Sequence, residues 1–292
     1  MTKPRIGSIA HRDLFCKTFI DSHKPFEPET LPWPVLEPKY LDLLRAFPFW
    51  SFARSMEQEA DRMIATYAKT LTDPVIREAV ELQGYEEGRH GRLLNYMLEH
   101  FNIDVPAVPL SNLPVGREDF VTFGFSECTD SFVGFGGFAL ARAKQAFPKD
   151  LLEIFEQILF EEARHIVFFI NWWRYEEALA GNTNPFSRTI KSLQYMVKAT
   201  MHTAQGAQGA AVNTTPMDLT GGGSQVILEG VTPKSFLEIA LAEERMMMSR
   251  IDKRLLRPRI VPFLASAAVL ALRMLPPRKK TLNAKPALSI AS

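Results

Sequence analysis

The chain has 292 residues, 46% of them hydrophobic, and a formal net charge of +1. This length is enough for one large core or for one domain with extensions. The near-neutral charge argues against a nucleic-acid partner, and the two cysteines argue against a secreted, disulfide-framed protein. Neither a signal peptide nor an apolar run of roughly 18 to 20 residues is evident, so we expect a cytoplasmic protein.

Residues 1–45 are predicted to form a proline-rich N-terminal arm. Five prolines disfavour a regular helix there and favour extended backbone: Pro25, Pro28, Pro32, Pro34 and Pro38. Phe26, Trp33 and Val35 indicate that the arm packs on the rest of the protein.

Two helices are predicted to form a first hairpin. The first helix starts near Asp42 or Pro48 and ends near Leu71, because apolar residues recur there at helical spacing. In the turn that follows, Asp73 is the expected N-cap and Pro74 opens the second helix. Core positions of the second helix step by four and three, and they include a glutamate and a histidine: Ile76, Val80, Gln83, Glu87, His90, Leu94, Met97 and Phe101.

A second hairpin is predicted beyond a connection at 102–118, whose length fits the crossover of some four-helix bundles. The third helix runs from about Glu118 to Ala146 and carries Glu127 on a face with small residues. The small residues are Gly124, Ser131 and Gly134. Either they leave space for oxygen or a slender substrate, or they permit close helix packing. The fourth helix has an apolar seam that again includes a glutamate and a histidine: Leu151, Phe155, Ile158, Glu162, His165, Phe169 and Trp172.

The bundle is therefore predicted over 46–180, with accessory helices packing on it over 181–280 and a disordered tail at 281–292. The accessory part contains two helices that start at a proline, one near 185–211 and one near 233–256, the second of which is capped by Thr232.

The apolar stretch Ile260–Leu275 has two readings. It is interrupted by Pro262 and Arg273 and followed by further basic residues, so it falls short of a membrane span. Either it lies on a membrane surface, or it forms a core or dimer helix. Peripheral membrane contact and homodimer formation are therefore both open alternatives.

Two copies of one motif, Glu-Glu-x-Arg-His, occur at residues 86–90 and 161–165. In each copy a glutamate and a histidine are three residues apart, which places both side chains on the same face of a helix. Because both copies fall in an apolar seam, these polar groups need a partner inside the core. The alternative is a bundle with solvated Glu–Arg pairs, and it leaves His90, His165 and Glu127 on apolar seams unexplained.

A symmetric site for two metals needs one further carboxylate from each remaining helix. The third helix offers Glu127, and the first offers Glu57 or Glu59, which flank its apolar stripe. Four carboxylates would balance two divalent ions while both histidines stay neutral, and such ligands favour iron, manganese or a mixed pair. The turn between the first two helices is equally far from Glu57 and Glu87, whereas the turn between the third and fourth helices is closer to Glu162 than to Glu127. The third helix is therefore expected to bend, bulge or overhang.

These motifs resemble those of the ferritin-like di-iron superfamily over roughly residues 45–180. The Glu-Glu-x-Arg-His form is similar to the motif of its oxygen-activating branch, which includes soluble acyl-carrier desaturases and bacterial multicomponent monooxygenases. Residues 86–95 look like the first such motif of the desaturases. The pattern from Glu57 to Ala60 is similar to the first ligand helix of rubrerythrin-like proteins, which favours Glu57 over Glu59.

The resemblance implies that six residues bind two iron ions: Glu57, Glu87, His90, Glu127, Glu162 and His165. Glu86 and Glu161, with Arg89 and Arg164, would then orient these ligands, and surface ion pairs are the alternative for these four. The implied activity is an oxygen-dependent oxidase, hydroxylase or desaturase. Its substrate would be small and mostly apolar, and its electrons would come from a reductase or ferredoxin.

Two other functions are compatible with the same motifs. One is an iron-handling or peroxide-scavenging protein without an organic substrate, and the other is a di-iron hydroxylase of a quinone or lipid at a membrane surface. His202 and Glu243 are further candidates for a ligand or a proton relay. Trp172 and Trp173 would either relay electrons or belong to the core.

Overall fold

The computed structural model describes residues 2–47, 49–106, 115–211 and 223–274, with the backbone alone for 202–211 and 223. Over this part the fold is all-α and contains no strand, which confirms the all-α part of the predicted fold class. A short 3-10 helix at Pro28–Thr30 accompanies the α-helices, which are α1 (Ile9–Asp21), α2 (Pro38–Arg45), α3 (Trp50–Ala68), α4 (Pro74–His100), α5 (Arg117–Ala143), α6 (Lys149–Leu179), α7 (Pro185–Ala211), α8 (Gly223–Leu228), α9 (Pro233–Ser249) and α10 (Ile260–Met274).

Four helices, α3 to α6, form two hairpins. α3 packs along α4, α5 packs along α6, and further contacts join α3 to α5 and α4 to α6. Asp73 caps α4 as predicted, since its carboxylate accepts hydrogen bonds from the amides of Val75 and Ile76, and Pro74 is the first helical residue. Of the predicted connection at 102–118, residues 107–114 lie outside the described residues, and α5 begins within its last two positions.

The N-terminal segment contains helices, so the prediction of extended backbone is wrong for residues 9–21 and 38–45. All five prolines follow α1, which leaves that stretch free to form a helix. Pro38 is the first residue of α2, a position where the missing N–H removes no intrahelical hydrogen bond.

α1 packs on α4 and α6 and buries Phe15, Cys16 and Phe19. Of the residues predicted to anchor the segment, Trp33 packs on the ring of Phe101, whereas Val35 is almost fully exposed. The N-terminal segment is thus held mainly by its helix, because that helix covers the gap between α4 and α6.

The predicted seam of α4 is buried along its whole length, from Ile76 to Phe101. On α6 the predicted seam is buried from Glu162 to Trp172, and Phe155 is half-buried. The polar residues of both motifs therefore lie inside the protein, between apolar layers above and below them.

α7, α9 and α10 pack outside the two hairpins. α7 and α9 lie on α5, and α10 lies on α9. α9 begins at the predicted cap but ends at Ser249, before the predicted end near Leu256. The guanidinium of Arg257 donates hydrogen bonds to the carbonyls of Met248, Ile251 and Asp252, which satisfies backbone groups where the helix stops.

Among the described helices, none combines the length and the apolar character that crossing a membrane requires. The predicted tail at 281–292 lies outside the described residues.

Gly124 of α5 lies directly against a side chain of α6. A Cβ at this position would overlap the ring of Phe169, so the ring occupies the space above the glycine. Close helix packing is therefore the correct alternative for Gly124. Gly137, on the same helix, has no atom within 4 Å of its Cβ position.

We expect Gly124→Ala to destabilise the protein by about 1–3 kcal/mol, because a packed ring and two helices must move apart. Gly137→Ala is the matched control and should stabilise by roughly 0.5–1 kcal/mol, since alanine favours the helix. Urea unfolding of both variants, kept metal-free with a chelator, measures the difference. Equal effects of the two substitutions would contradict the close packing at Gly124.

Candidate metal centre

The six predicted ligand residues lie together between the two hairpins. They form two groups of four, in each of which one ligand atom per residue lies within 4.8 Å of the others: Glu57, Glu87, His90 and Glu162 in the first, and Glu87, Glu127, Glu162 and His165 in the second. Glu87 and Glu162 belong to both groups. The geometry is therefore that of two adjacent sites bridged by two carboxylates.

Each helix of the two hairpins contributes to this arrangement. α3 supplies Glu57 and α5 supplies Glu127, while α4 and α6 each supply a glutamate and a histidine three residues apart. α5 is continuous α-helix from Arg117 to Ala143, without a π-bulge. Glu127 lies about one helical turn further from the α5–α6 connection than Glu162 does. It reaches the second group from this position.

The imidazole Nδ1 atoms point at the carboxylates. Nδ1 of His90 lies 3.1 Å from Oε1 of Glu162 and 3.6 Å from carboxylate oxygens of both Glu57 and Glu87. Nδ1 of His165 lies 2.9 Å from Oε1 of Glu87 and 3.7 Å from Oε2 of Glu162. The two rings are 5.7 Å apart between centroids.

Four buried atoms at the centre form no hydrogen bond of good geometry among the described residues: Oε1 of Glu87, Nδ1 of His90, Oε2 of Glu162 and Nδ1 of His165. Nδ1 of His165 and Oε1 of Glu87 are 2.9 Å apart but are not aligned for a hydrogen bond. Buried polar atoms are normally satisfied, and each unsatisfied one calls for an explanation such as an ion. These four belong to the groups that could hold a metal ion, and carboxylate oxygen with imidazole nitrogen is a donor set that iron and manganese accept. The residues present therefore fit a pair of divalent metal ions.

The opposite nitrogen of each imidazole is held by the other hairpin. Nε2 of His90, on α4, lies 2.9 Å from Oε2 of Glu161 on α6. Nε2 of His165, on α6, lies 2.9 Å from Oε2 of Glu86 on α4. With the proton on Nε2, donated to the carboxylate, the lone pair on Nδ1 is free for a metal.

The arginines of the two motifs pair in the same reciprocal way. Arg89 donates to Glu161 at 2.5 Å, and Arg164 donates to Glu86 at 2.8 Å. All four side chains are buried. The alternative of surface ion pairs within one helix is therefore wrong: both close contacts run from α4 to α6. We call these four residues with His90 and His165 the reciprocal network.

The end of α1 and the residues after it cover the reciprocal network. Arg164 donates to the carbonyl of Phe19 at 2.6 Å and to Oγ of Ser22 at 2.8 Å. Nδ1 of His23 lies 2.6 Å from Oε1 of Glu86, and the guanidinium of Arg89 lies over the ring of Phe26. Sequence reasoning missed Ser22 and His23, because nothing in their spacing relates them to either motif.

His23, Glu86 and Glu161 form a third cluster of potential ligand atoms. Both of its carboxylates already bond to arginines, Glu161 to Arg89 and Glu86 to Arg164. A cation in this cluster would be repelled by those guanidinium groups, so we assign the cluster to the support of the ligands.

Burial and charge shift the pKa values of the ligand residues in opposite directions. Burial raises the pKa of Glu57 to about 8, and burial followed by the charge of Glu162 raises that of Glu127. Burial opposes the charged forms of the histidines, but the surrounding carboxylates outweigh it and raise the pKa of His90 and His165. Without metal the centre therefore retains protons, which metal ions must displace.

Solvent reaches the centre unevenly. The side chain of Glu57 is 22% exposed and that of Glu162 is 11% exposed, whereas the side chains of Glu87, His90 and His165 are at most 2% exposed. Glu127 is half-buried. Access to the two groups is thus from the side of α3 and α5, opposite the reciprocal network.

The remaining candidates lie apart from the centre. Glu59 pairs with Arg62 at 2.6 Å, and Glu243 is bonded to Arg142 at 2.6 Å. The side chain of His202 lies outside the described residues. The geometry therefore selects Glu57 over Glu59 as the α3 member of the group.

The two tryptophans weighed as an electron relay, Trp172 and Trp173, are buried in the main core. Trp172 packs edge-on against Phe120. These contacts are those of core residues.

Glu57→Gln is expected to reduce metal binding from two ions per chain to about one, because it removes a charged ligand from one group only. Glu59→Gln is the matched control, two residues away on the same helix, and should bind like the wild type. Metal content after ferrous loading and gel filtration measures both. Full loading of Glu57→Gln, or equal losses in both variants, would contradict the assignment.

Arg89→Gln is expected to destabilise the protein by about 3–5 kcal/mol, because it leaves the buried carboxylate of Glu161 without its cation. Arg92→Gln is the control on the same helix. Its partner Glu27 is at the surface, so the loss should stay below about 1 kcal/mol. Urea unfolding of metal-free protein compares the two, and similar losses would argue against a structural role for the reciprocal network.

A function for this centre rests on three observations: the six candidate ligand residues, the four ligand atoms without an aligned hydrogen bond, and the reciprocal network behind them. No protein-family model, no curated protein and no solved structure matches the chain. The centre is described by its own chemistry: two adjacent groups of carboxylate and imidazole ligands inside an all-α protein.

Proposed function

We propose that this protein is a non-haem di-iron oxidoreductase that uses dioxygen to oxidise a small, mostly apolar organic substrate. The observation that carries the proposal is the pair of four-residue groups that share Glu87 and Glu162. Buried ligand atoms without another partner lie in both groups. A bridged pair of oxygen- and nitrogen-rich sites suits two redox-active ions better than one isolated ion.

The architecture supports a ferritin-like four-helix bundle. α3 and α5 each supply one carboxylate, and α4 and α6 each supply a Glu-x-x-His pair. This distribution of ligands over four helices is the one described for di-iron carboxylate proteins of that architecture. The accessory helices α7, α9 and α10 would then surround the bundle on the α5 side.

When bound, the metals would supply the redox chemistry with dioxygen. The chain's own residues hold the ligands: Glu86 and Glu161 fix the orientation of the imidazoles through their Nε2 protons. Arg89 and Arg164 donate to those carboxylates and hold them in place inside the core. The sequence contains no flavin or nicotinamide fingerprint, so we assign electron supply to a separate reductase or ferredoxin.

One observation favours a second function, a peroxide-scavenging or iron-handling protein without an organic substrate. The space above Gly124 is filled by the ring of Phe169, close to the α5 residue that would bind metal. A substrate pocket at this point of α5 would require Phe169 to move.

The experiment that tests the proposal starts from anaerobic protein loaded with ferrous iron. About two irons per chain are expected, and dioxygen uptake should exceed that of Glu162→Ala and His165→Ala by at least tenfold, since both variants lose ligands of the centre. Manganese loading in parallel identifies the preferred metal.

Faster oxidation by hydrogen peroxide than by dioxygen would favour the scavenger over the oxidase. Unchanged metal binding in Glu162→Ala and His165→Ala would refute the centre itself. Apolar alcohols, fatty acyl chains and arylamines are then screened for a product that forms only in iron-loaded wild type.

A further inference from the structure

α7 presents an apolar stripe to solvent. Its members recur every three or four residues and so share one face of the helix: Phe186, Ile190, Leu193, Val197 and Met201. All five are exposed, and Phe186 is 74% exposed. The opposite side of the helix faces α5, where Ala199 is buried and Tyr195 packs on Phe125. A continuous exposed apolar stripe of this kind marks an interaction surface.

α10 presents a second stripe. Phe263, Leu270 and Met274 are exposed at spacings of seven and four residues, and Leu264 is exposed beside them. The buried residues of α10 lie on its other face, towards α9: Val261, Ala265 and Val269. The helix is thus apolar all round, although only one side is packed against the described part of the protein.

A cluster of arginines lies where the two helices begin. Asn171 of α6, one turn from Arg174, exchanges hydrogen bonds with the backbone of Leu256, three residues before Arg259. Arg188 donates to the carbonyl of Asn182, just beyond the end of α6. In keeping with this proximity, burial and then the positive charges of Arg188 and Arg259 lower the pKa of Arg174. Arg188 is in the first turn of α7, Arg259 directly precedes α10, and Arg174 is near the end of α6. The beginnings of both stripes therefore lie close to one group of three positive charges.

This arginine cluster has no carboxylate partner among the described residues: none of Arg174, Arg188 and Arg259 forms an ion pair there. The sequences of α7 and α10 contain no acidic residue at all. Lys198 adds a further exposed positive charge on α7. Apolar stripes beside uncompensated positive charge are the composition of helices that lie in a membrane interface and bind anionic lipids.

We propose that α7 and α10 together form a surface that binds an anionic lipid membrane peripherally. The apolar side chains would enter the boundary between headgroups and acyl chains, and the arginine cluster would contact lipid phosphates. A second copy of the chain fits less well, because the same surface on that copy has no acidic residue on α7 or α10 to pair with the arginine cluster. The surface is separate from the metal centre, so the proposal does not rest on the proposed function.

The test is sedimentation of full-length protein with vesicles of phosphatidylcholine containing 30% phosphatidylglycerol, and with vesicles of phosphatidylcholine alone. Wild-type protein should bind the anionic vesicles at least tenfold more tightly than the neutral ones, as several basic residues contribute about 1 kcal/mol each. Binding should weaken as salt rises, because Arg259 and Lys198 are exposed and salt screens exposed charges.

Val197→Asp with Phe263→Asp is the variant of the apolar stripes, and Arg188→Gln with Arg259→Gln is the variant of the cluster. The stripe variant should bind vesicles at least tenfold more weakly than wild type. The cluster variant should bind roughly tenfold or more weakly, and on anionic vesicles only. Val35→Asp and Lys39→Gln are matched controls at exposed positions remote in sequence, and both should bind like wild type. Circular dichroism verifies that each variant is folded.

Three results would overturn the proposal. The first is wild-type protein that binds neither vesicle or binds both equally. The second is a stripe variant that binds vesicles like wild type. The third is a wild-type dimer in sedimentation velocity that Val197→Asp with Phe263→Asp converts to a monomer while vesicle binding is absent, which would show that a second copy covers the surface. Loss of iron binding in Glu162→Ala leaves the vesicle result unaffected, so failure of the two proposals can be told apart.

Discussion

The structure of the centre depends on the reciprocal pairing of α4 with α6. Glu86 accepts from His165 and Arg164, and Glu161 accepts from His90 and Arg89. Burial alone would raise the pKa of Glu86, but His165 and Arg164 outweigh it and keep this pKa well below its usual range. Removing any one member would leave a buried charge without its partner, which is far costlier than losing a surface pair. Such a network therefore fixes both the spacing and the register of α4 and α6.

That constraint explains how a chain with charged residues in its core can fold. The outer carboxylates are neutralised by arginines and covered by α1, whose Phe19 and Ser22 accept from Arg164. The inner carboxylates of Glu87 and Glu162 face two imidazoles and no arginine. One side of each histidine is thus occupied by protein, and the other side is left for a ligand. The reciprocal network and the candidate metal centre are two halves of one arrangement that shares the imidazole rings.

The two proposed functional regions of the molecule are separate. The candidate metal centre lies among α3 to α6, and solvent approaches it beside Glu57 and Glu127. The stripes of α7 and α10 lie on helices that pack outside the bundle and carry no residue of the centre. If both proposals hold, an apolar substrate and the protein would meet at the same lipid surface, since apolar molecules concentrate there. The packing of α7 on α5 and α3 would connect that surface to the helices that bear Glu127 and Glu57.

Helical periodicity and capping patterns predict the helices of both hairpins, the caps at Asp73 and Thr232, and five of the six residues that meet at the centre. Local rules suffice for these, because helical periodicity and capping act over a few residues. Three further features follow from the tertiary packing. Helical spacing left Glu57 and Glu59 both open and the family resemblance favoured Glu57; in the structure Glu57 lies with Glu87 and His90, whereas Glu59 pairs with Arg62. The structure also shows that the motif arginines pair between helices, and it places α1, with Ser22 and His23, over the network. Such contacts join residues far apart in sequence, and no local pattern encodes which distant partner will complete a buried charge.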